Sequence, residues 1–156
     1  MEERPRWRTT LTGRVTPRLQ LGLEYNALAP EATVNPIGNY FIQTETENRP
    51  GIVAGFSSDR IGTPLGMAYF VTAQKLLGGE RGWFAPYVGL SYSEWGRELL
   101  VPFGASIALC DNLMLVPMFD GKHGHTTLSW MDGRGRTLSL IAVFNQRLGV
   151  AFAQNF

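Results

Sequence analysis

The chain has 156 residues, a mass of 17.3 kDa and a formal net charge of +1 at pH 7. This length suits one domain with its own core. The composition, with 44% hydrophobic and only 17% charged residues, excludes a disordered chain. The near-neutral charge balance argues against nucleic acid as a partner, and the apolar runs are too short for a transmembrane helix.

Apolar and polar residues alternate along most of the chain, which is the pattern of β-strands with two different faces. Leu19, Leu21 and Leu23 fall on one side of such a strand, whereas Gln20 and Glu24 fall on the other. Groups of Pro, Gly, Asn and Asp separate these runs at intervals of about 8 to 14 residues, as turns would. The pattern predicts eleven strands, at residues 6–15, 18–26, 39–47, 51–58, 67–75, 84–93, 99–110, 113–119, 125–131, 136–144 and 148–156.

Successive strands with short connections predict an all-β fold. A long meander with open edges would pair with other chains, so the sheet must close or fold over itself. We therefore expect a single antiparallel up-and-down β-barrel of about 8–12 strands, with residues 1–156 forming one domain. A two-sheet sandwich is the alternative.

The less apolar face of the predicted strands is rich in small residues, among them Gly22, Gly89, Ser91, Gly104 and Ser139. Small side chains suit a crowded interior better than a solvated exterior. The predicted strands have about 8 to 10 residues, which matches the roughly 9–11 residues that cross a bilayer at a tilt. The alternation thus favours a membrane barrel with its large apolar side chains in lipid. The alternative is a soluble barrel or sandwich that binds an apolar ligand or self-assembles through its sheet edges.

The last predicted strand places Leu148, Val150 and Phe152 on one face and ends at Phe156. This segment resembles the C-terminal strand of bacterial outer-membrane β-barrel proteins, although Gln154 stands where an apolar residue is usual. The resemblance implies a porin-like or structural protein of the bacterial outer membrane, with the lipid bilayer and the outer-membrane assembly machinery as partners. The four apolar positions would form the assembly signal. An odd number of strands departs from the even number of that family.

Polar residues on the second face are the candidates for a barrel interior. We expect Arg14, Gln20, Glu24, Gln43 and Glu45 to line it. In a narrow lumen, carboxylates pair with arginines, because bidentate pairs satisfy both charges without water. This arrangement would plug or gate the lumen, and we favour it over acid–base catalysis.

Both histidines lie in one glycine-rich segment, Asp120 to His125. Asp120, His123 and His125 are candidate ligands for a divalent metal, since imidazole and carboxylate suit zinc, copper or nickel. A polar hairpin loop with incidental histidines is the favoured interpretation, so we expect no metal.

No catalytic or cofactor-binding motif occurs, so we expect a protein that is not an enzyme and holds no cofactor. The single cysteine, Cys110, excludes an intramolecular disulfide, and its apolar surroundings predict a small buried side chain. The first residues lack the apolar stretch of a signal peptide. Export would therefore need a leader that is absent from this sequence, and a cytoplasmic protein is the alternative.

Overall fold

The computed structural model describes residues 7–27, 34–58, 66–78, 82–144 and 146–156. The described chain is all-β and contains twelve strands. They are β1 (Thr9–Thr16), β2 (Leu19–Tyr25), β3 (Val34–Gln43), β4 (Gly51–Ser58), β5 (Met67–Gln74), β6 (Phe84–Ser93), β7 (Glu98–Leu100), β8 (Phe103–Cys110), β9 (Leu113–Phe119), β10 (Gly124–Met131), β11 (Arg136–Val143) and β12 (Arg147–Gln154). Within the described ranges, no helix is long and apolar enough to cross a membrane.

The strands form one antiparallel up-and-down sheet in which neighbours in sequence are neighbours in space. The pairing order runs from β1 to β12 and ends there, so the described residues include no pairing that closes the sheet. The all-β, up-and-down prediction is confirmed, whereas closure into a barrel is not part of the observed pairing.

The strands β7 and β8 occupy one position in the sheet. Both pair with β6, and the register continues from one to the other, because Ser91 lies opposite Leu100 and Val88 lies opposite Phe103. The interruption falls at Pro102, which has no N–H to give to the ladder. Counting β7 and β8 as one position leaves eleven strand positions, the number that the sequence pattern predicts.

The chain contacts define two compact units. The first comprises Met1–Ala73 and Gly89–Leu100, and it holds β1 to β4, most of β5, the second half of β6, and β7. The second comprises Gln74–Val88 and Val101–Phe156, and it holds the first half of β6 and the strands β8 to β12.

One predicted strand is displaced. β3 begins at Val34, whereas the sequence pattern predicts a loop up to residue 38 and a strand over 39–47. Pro36 and Gly38 suggest a turn, yet they lie opposite Leu23 and Leu21 in the regular β2–β3 ladder. The predicted end of the strand is instead a turn, closed by the bridge between Thr46 and Arg49.

Large apolar side chains lie on the exposed side of the strands in both units. The buried hydrophobic residues are few and mostly small, namely Ile37, Ala68, Ala85 and Leu100. Polar residues are buried instead: Glu24, Asn26, Ser57, Ser58, Ser91, Ser93 and His125. The exposed apolar residues include Leu11, Val15, Leu21, Leu23, Val71, Leu90, Phe103, Leu128, Leu138, Leu140, Leu148, Val150 and Phe152. The two faces predicted from the alternation are therefore present, and the apolar face is the exposed one.

Candidate functional site

The most buried charge in the described chain is the carboxylate of Glu24, near the end of β2, with a relative exposure of 0%. Its Oε1 atom lies 3.2 Å from Nε of Arg8 and accepts a hydrogen bond from the amide of Asn26 at 3.3 Å. The Ser58 hydroxyl at the end of β4 also donates to this oxygen. Arg8 additionally donates to Ser58 Oγ at 3.4 Å. We call Arg8, Glu24, Asn26 and Ser58 the Glu24 cluster.

The Glu24 cluster ties three separate segments together in the first unit. Arg8 immediately precedes β1, while Glu24 and Ser58 belong to β2 and β4. A carboxylate without exposure is stable only when it is paired and hydrogen-bonded, and here one oxygen takes all of the observed donors. The other oxygen, Oε2, is buried without a hydrogen-bond partner. The cluster therefore acts as an electrostatic link between strand ends.

Gln20 and Glu24, two of the predicted interior residues, lie on β2. Gln20 belongs to a row of hydrogen-bonded polar side chains that crosses β1, β2 and β3. Gln20 donates through its amide to Thr12 Oγ1 at 3.0 Å and accepts from the amide of Asn39 at 3.3 Å. Arg14 lies opposite Gln20 in the β1–β2 ladder but is exposed. Gln20 and Glu24 are four residues apart on one strand, so they lie on the same face.

The two other predicted interior residues lie elsewhere. The Gln43 amide donates to the carbonyl of Pro50 at 2.7 Å, so it stabilises the β3–β4 connection. Glu45 lies beyond the end of β3, outside any strand. Neither belongs to the Glu24 cluster, because Glu24 lies opposite Asn35 near the start of β3, whereas Gln43 and Glu45 lie at and beyond its other end.

The sequence pattern missed the partners of Glu24. Arg8 has the same strand parity as Arg14, so the alternation places both arginines on the polar face. Which of them meets Glu24 depends on the register: Thr10 lies opposite Glu24, and Arg14 lies opposite Gln20. Asn26 and Ser58 stand at strand ends, where the alternation gives no direction. The only sequence signal for Arg8 is its even-numbered position, which places its side chain on the polar face together with Glu24.

A second polar cluster lies in the second unit, where the loop between β9 and β10 meets the end of β11. His125 Nε2 is 2.6 Å from Asp120 Oδ2, and the Phe144 N–H donates to His125 Nδ1 at 3.3 Å. Nδ1 is therefore unprotonated, and Nε2 carries the proton that is donated to Asp120. The Phe144 ring packs against both imidazoles, with centroid distances of 4.4 Å to His123 and 5.2 Å to His125.

The Asp120 carboxylate accepts several hydrogen bonds within this loop. Its Oδ1 atom accepts the backbone N–H groups of Lys122 at 2.9 Å and His123 at 2.8 Å. Partial burial raises the pKa of Asp120, but the hydrogen bonds from His123, His125 and Lys122 outweigh it, so the pKa lies below its ordinary value.

The three candidate metal ligands do not form a ligand set. His123 offers Asp120 only its backbone N–H, and both ring nitrogens of His125 are engaged in hydrogen bonds. Across the described ranges of the chain, no three His, Cys, Asp or Glu residues are arranged to hold a metal ion.

The predicted assembly-signal residues are strongly exposed. Leu148, Val150 and Phe152 have relative exposures of 78%, 74% and 68%, and Phe156 is also fully exposed. The first three share one face of β12, opposite Ala142, Leu140 and Leu138 of β11. Cys110 is exposed as well, with its Sγ 3.2 Å from Asn112 Oδ1, so the prediction of a buried cysteine is wrong. The cause is its position at the last residue of β8, beside a turn.

The apolar face of the first unit contains an open groove of about 420 Å³. Small residues, Gly38 and Ala54, lie among larger ones that include Phe56, Leu90 and Leu99. The surface of its lining is almost entirely apolar, which suits a hydrocarbon chain.

Comparisons of the chain with protein-family models, with curated proteins and with solved structures found no match.

Proposed function

We propose that this protein is a non-enzymatic β-barrel of the bacterial outer membrane, with lipid around its apolar face and a narrow polar interior. The observation that carries the proposal is the inverted burial: Leu140, Val150 and Phe152 are exposed while Glu24 and Ser57 are buried. Water penalises a continuous apolar surface of this kind, whereas a bilayer favours it.

The polar face supports the same proposal. A charged group inside a membrane must pair within the protein, as Glu24 does with Arg8, Asn26 and Ser58. On β10 and β11, the hydroxyls of Ser129 and Ser139 lie 2.8 Å apart and satisfy each other. The exposed face of β12 supports recognition by the outer-membrane assembly machinery, the partner that the C-terminal resemblance implies.

The face assignment can be tested residue by residue on β12. In a Cys110→Ser background, single cysteines at residues 148 to 153 would carry an environment-sensitive fluorophore on protein in lipid vesicles. We expect lipid-borne quenchers to act at Leu148, Val150 and Phe152, and aqueous quenchers to act at the alternate positions. A protein that stays monodisperse without detergent, with no quenching by lipid at any position, would contradict the proposal.

The interior is proposed to be a passage that the Glu24 cluster obstructs. In planar bilayers, we expect wild-type protein to conduct weakly and Arg8→Ala to conduct more, because the variant removes the largest side chain of the cluster. Arg14→Ala, a change to an exposed arginine within β1 and outside the Glu24 cluster, is the matched control. Equal conductance in Arg8→Ala and wild type would show that the cluster does not obstruct an ion path.

A soluble barrel or sandwich that holds an apolar ligand is the second candidate, and the groove at Gly38 and Ala54 favours it. In this case the exposed side of β12 faces water. The quenching experiment separates the two candidates, because aqueous quenchers would then reach Leu148 and Val150.

A further inference from the structure

Phe144, the first residue after β11, has an unfavourable backbone conformation. Its φ is 54°, in the left-handed region that a bulky side chain rarely adopts. Such a conformation persists only where surrounding contacts hold it. The Phe144 N–H donates to Nδ1 of His125 at 3.3 Å, and its ring packs against the imidazoles of His123 and His125. These contacts hold the chain at the point where it turns towards β12.

His125 connects this turn to the loop between β9 and β10. It is the second residue of β10 and has a relative exposure of 8%. Its two ring nitrogens bind different elements: Nδ1 accepts from Phe144, and Nε2 donates to Asp120 Oδ2 at 2.6 Å. All three residues belong to the second compact unit. We call Asp120, His125 and Phe144 the His125 clasp.

One additional proton on the imidazole would break one arm of the His125 clasp and strengthen the other. A neutral imidazole has one donor and one acceptor nitrogen, and His125 uses both. A proton on Nδ1 would turn this acceptor into a donor that faces the Phe144 N–H, so their hydrogen bond could not persist. The hydrogen bond from Nε2 to Asp120 would become charge-assisted and therefore stronger.

The charges around His125 leave one other group to separate from it. The charged and titratable residues on the loop and strands packed against it are Asp120, Lys122, His123, Arg136 and Arg147. Hydrogen bonds keep the pKa of Asp120 below its ordinary value, so this carboxylate stays ionised near neutral pH. Histidine is the side chain whose charge ordinarily changes in the range of pH 5 to 8. An experiment must therefore distinguish His125 from His123.

We propose that His125 is a pH-sensitive switch whose protonation at Nδ1 releases Phe144 while the link to Asp120 is kept. Near neutral pH the clasp is closed, and in mild acid its Phe144 arm opens. The released Phe144 relaxes from its left-handed conformation, and the start of β12 gains mobility. The switch is independent of the proposed membrane location, because the groups that form it all belong to the second unit.

Hydrogen exchange at the Phe144 amide tests the switch. The full chain with ¹⁵N-labelled phenylalanine is studied by NMR in detergent micelles, and loss of one resonance in Phe144→Leu assigns the signal. The protection factor, which corrects for the direct effect of pH on exchange, should fall about three- to tenfold between about pH 8 and pH 5. The Phe41 amide, which donates to the Arg18 carbonyl at 2.8 Å, is the internal control and should keep its protection.

Two glutamine variants separate the histidines, because glutamine offers an acceptor and a donor without changing charge. His125→Gln should remove the pH dependence at Phe144, and His123→Gln should keep it. In wild type, the imidazole resonances of His125 should titrate with the same midpoint as the Phe144 amide, a test that needs no variant. The proposal is overturned if the two midpoints differ, if wild type shows no pH dependence, or if the dependence survives His125→Gln or is lost in His123→Gln. An equal loss of protection at Phe41 would also overturn it, since this indicates general unfolding.

Discussion

At the scale of single residues, Glu24 and Asp120 are carboxylates that each accept several hydrogen bonds. Glu24 is fully buried and held by Arg8, whose side chain is 29% exposed. Asp120 lies in a loop and organises it through the backbone N–H groups of Lys122 and His123. Each carboxylate lies near a strand end, Glu24 next to the last residue of β2 and Asp120 directly after β9, so losing either carboxylate should loosen that strand end.

Removing Arg8 should destabilise the protein, because Glu24 would remain buried without its counter-charge. We expect Arg8→Ala to lower the free energy of unfolding by about 2–3 kcal/mol, somewhat below the usual cost of breaking a buried pair because Arg8 is partly exposed. Chemical unfolding in vesicles or detergent measures this value. Arg14→Ala should change it by less than about 0.5 kcal/mol.

The double variant Arg8→Ala, Glu24→Gln serves as the check on this interpretation. Neutralising Glu24 removes the uncompensated charge, so Arg8→Ala should cost less in the Glu24→Gln background than alone. Equal costs in the two backgrounds would mean that Arg8 contributes by packing alone.

Stability should fall at acidic pH through Asp120. In the folded protein its pKa lies below the ordinary value of 3.8, because the hydrogen bonds to its carboxylate outweigh partial burial, so folding favours the ionised form. The resulting stabilisation is present above pH 3.8 and is lost as the pH falls through the lowered folded-state pKa. Thermal unfolding between pH 2 and 6 should show a steeper acid loss for wild type than for Asp120→Asn. Parallel curves for the two proteins would exclude this contribution.

At the scale of elements, close approach between β1 and β2 requires glycine at one position. A Cβ on Gly22 would meet the carbonyl oxygen of Leu11 in the backbone of β1, and it would lie 2.7 Å from a Thr12 side-chain carbon. Gly13, on the partner strand, has open space around the same atom. Both glycines lie in the β1–β2 ladder, but only at Gly22 do neighbouring heavy atoms occupy the space that a Cβ would need.

Gly22→Ala should therefore destabilise the β1–β2 pair, whereas Gly13→Ala should be neutral. The forced backbone shift at Gly22 is expected to cost about 1–3 kcal/mol of the free energy of unfolding. Chemical unfolding of both variants measures the difference, and hydrogen exchange of the β1 amides would localise it. Similar stability of the two variants would contradict the observed spacing between these strands.

The strands could be predicted from the sequence because alternation and turn residues act locally. All eleven predicted positions are found, and Pro102 interrupts its strand as its missing N–H requires. The start of β3 was missed because Pro36 and Gly38 favour turns in isolation, while pairing with β2 overrides this preference. The partner of Glu24 was missed for a related reason. Register depends on contacts between strands, and neither Arg8 nor Arg14 carries a local signal that selects it.

At the scale of the whole molecule, the proposed membrane location predicts that a charge on the exposed apolar face lowers stability by an amount that depends on its depth in the bilayer. Leu140 is in the middle of β11 opposite Val150, whereas Leu148 is near the start of β12; both belong to the same face. Across a bilayer, a lysine costs about 2–4 kcal/mol at the midplane and about 0–1 kcal/mol near the interface.

Leu140→Lys should therefore lower the free energy of unfolding in vesicles by about 2–4 kcal/mol, and Leu148→Lys by no more than about 1 kcal/mol. Both values come from chemical unfolding under identical lipid conditions. If water surrounds this face, neither lysine should be costly, and both variants should be as stable as wild type.

The odd number of strand positions has a consequence for the two compartments that a membrane separates. If each of the eleven strand positions crosses the bilayer once, as the proposed membrane barrel requires, Thr9 begins the first crossing and Gln154 ends the eleventh. After an odd number of crossings, a chain emerges on the side opposite to the one where it entered. A peptide attached before β1 and a peptide attached after β12 would thus be accessible from opposite sides of the bilayer, so this fold could link two compartments through its termini.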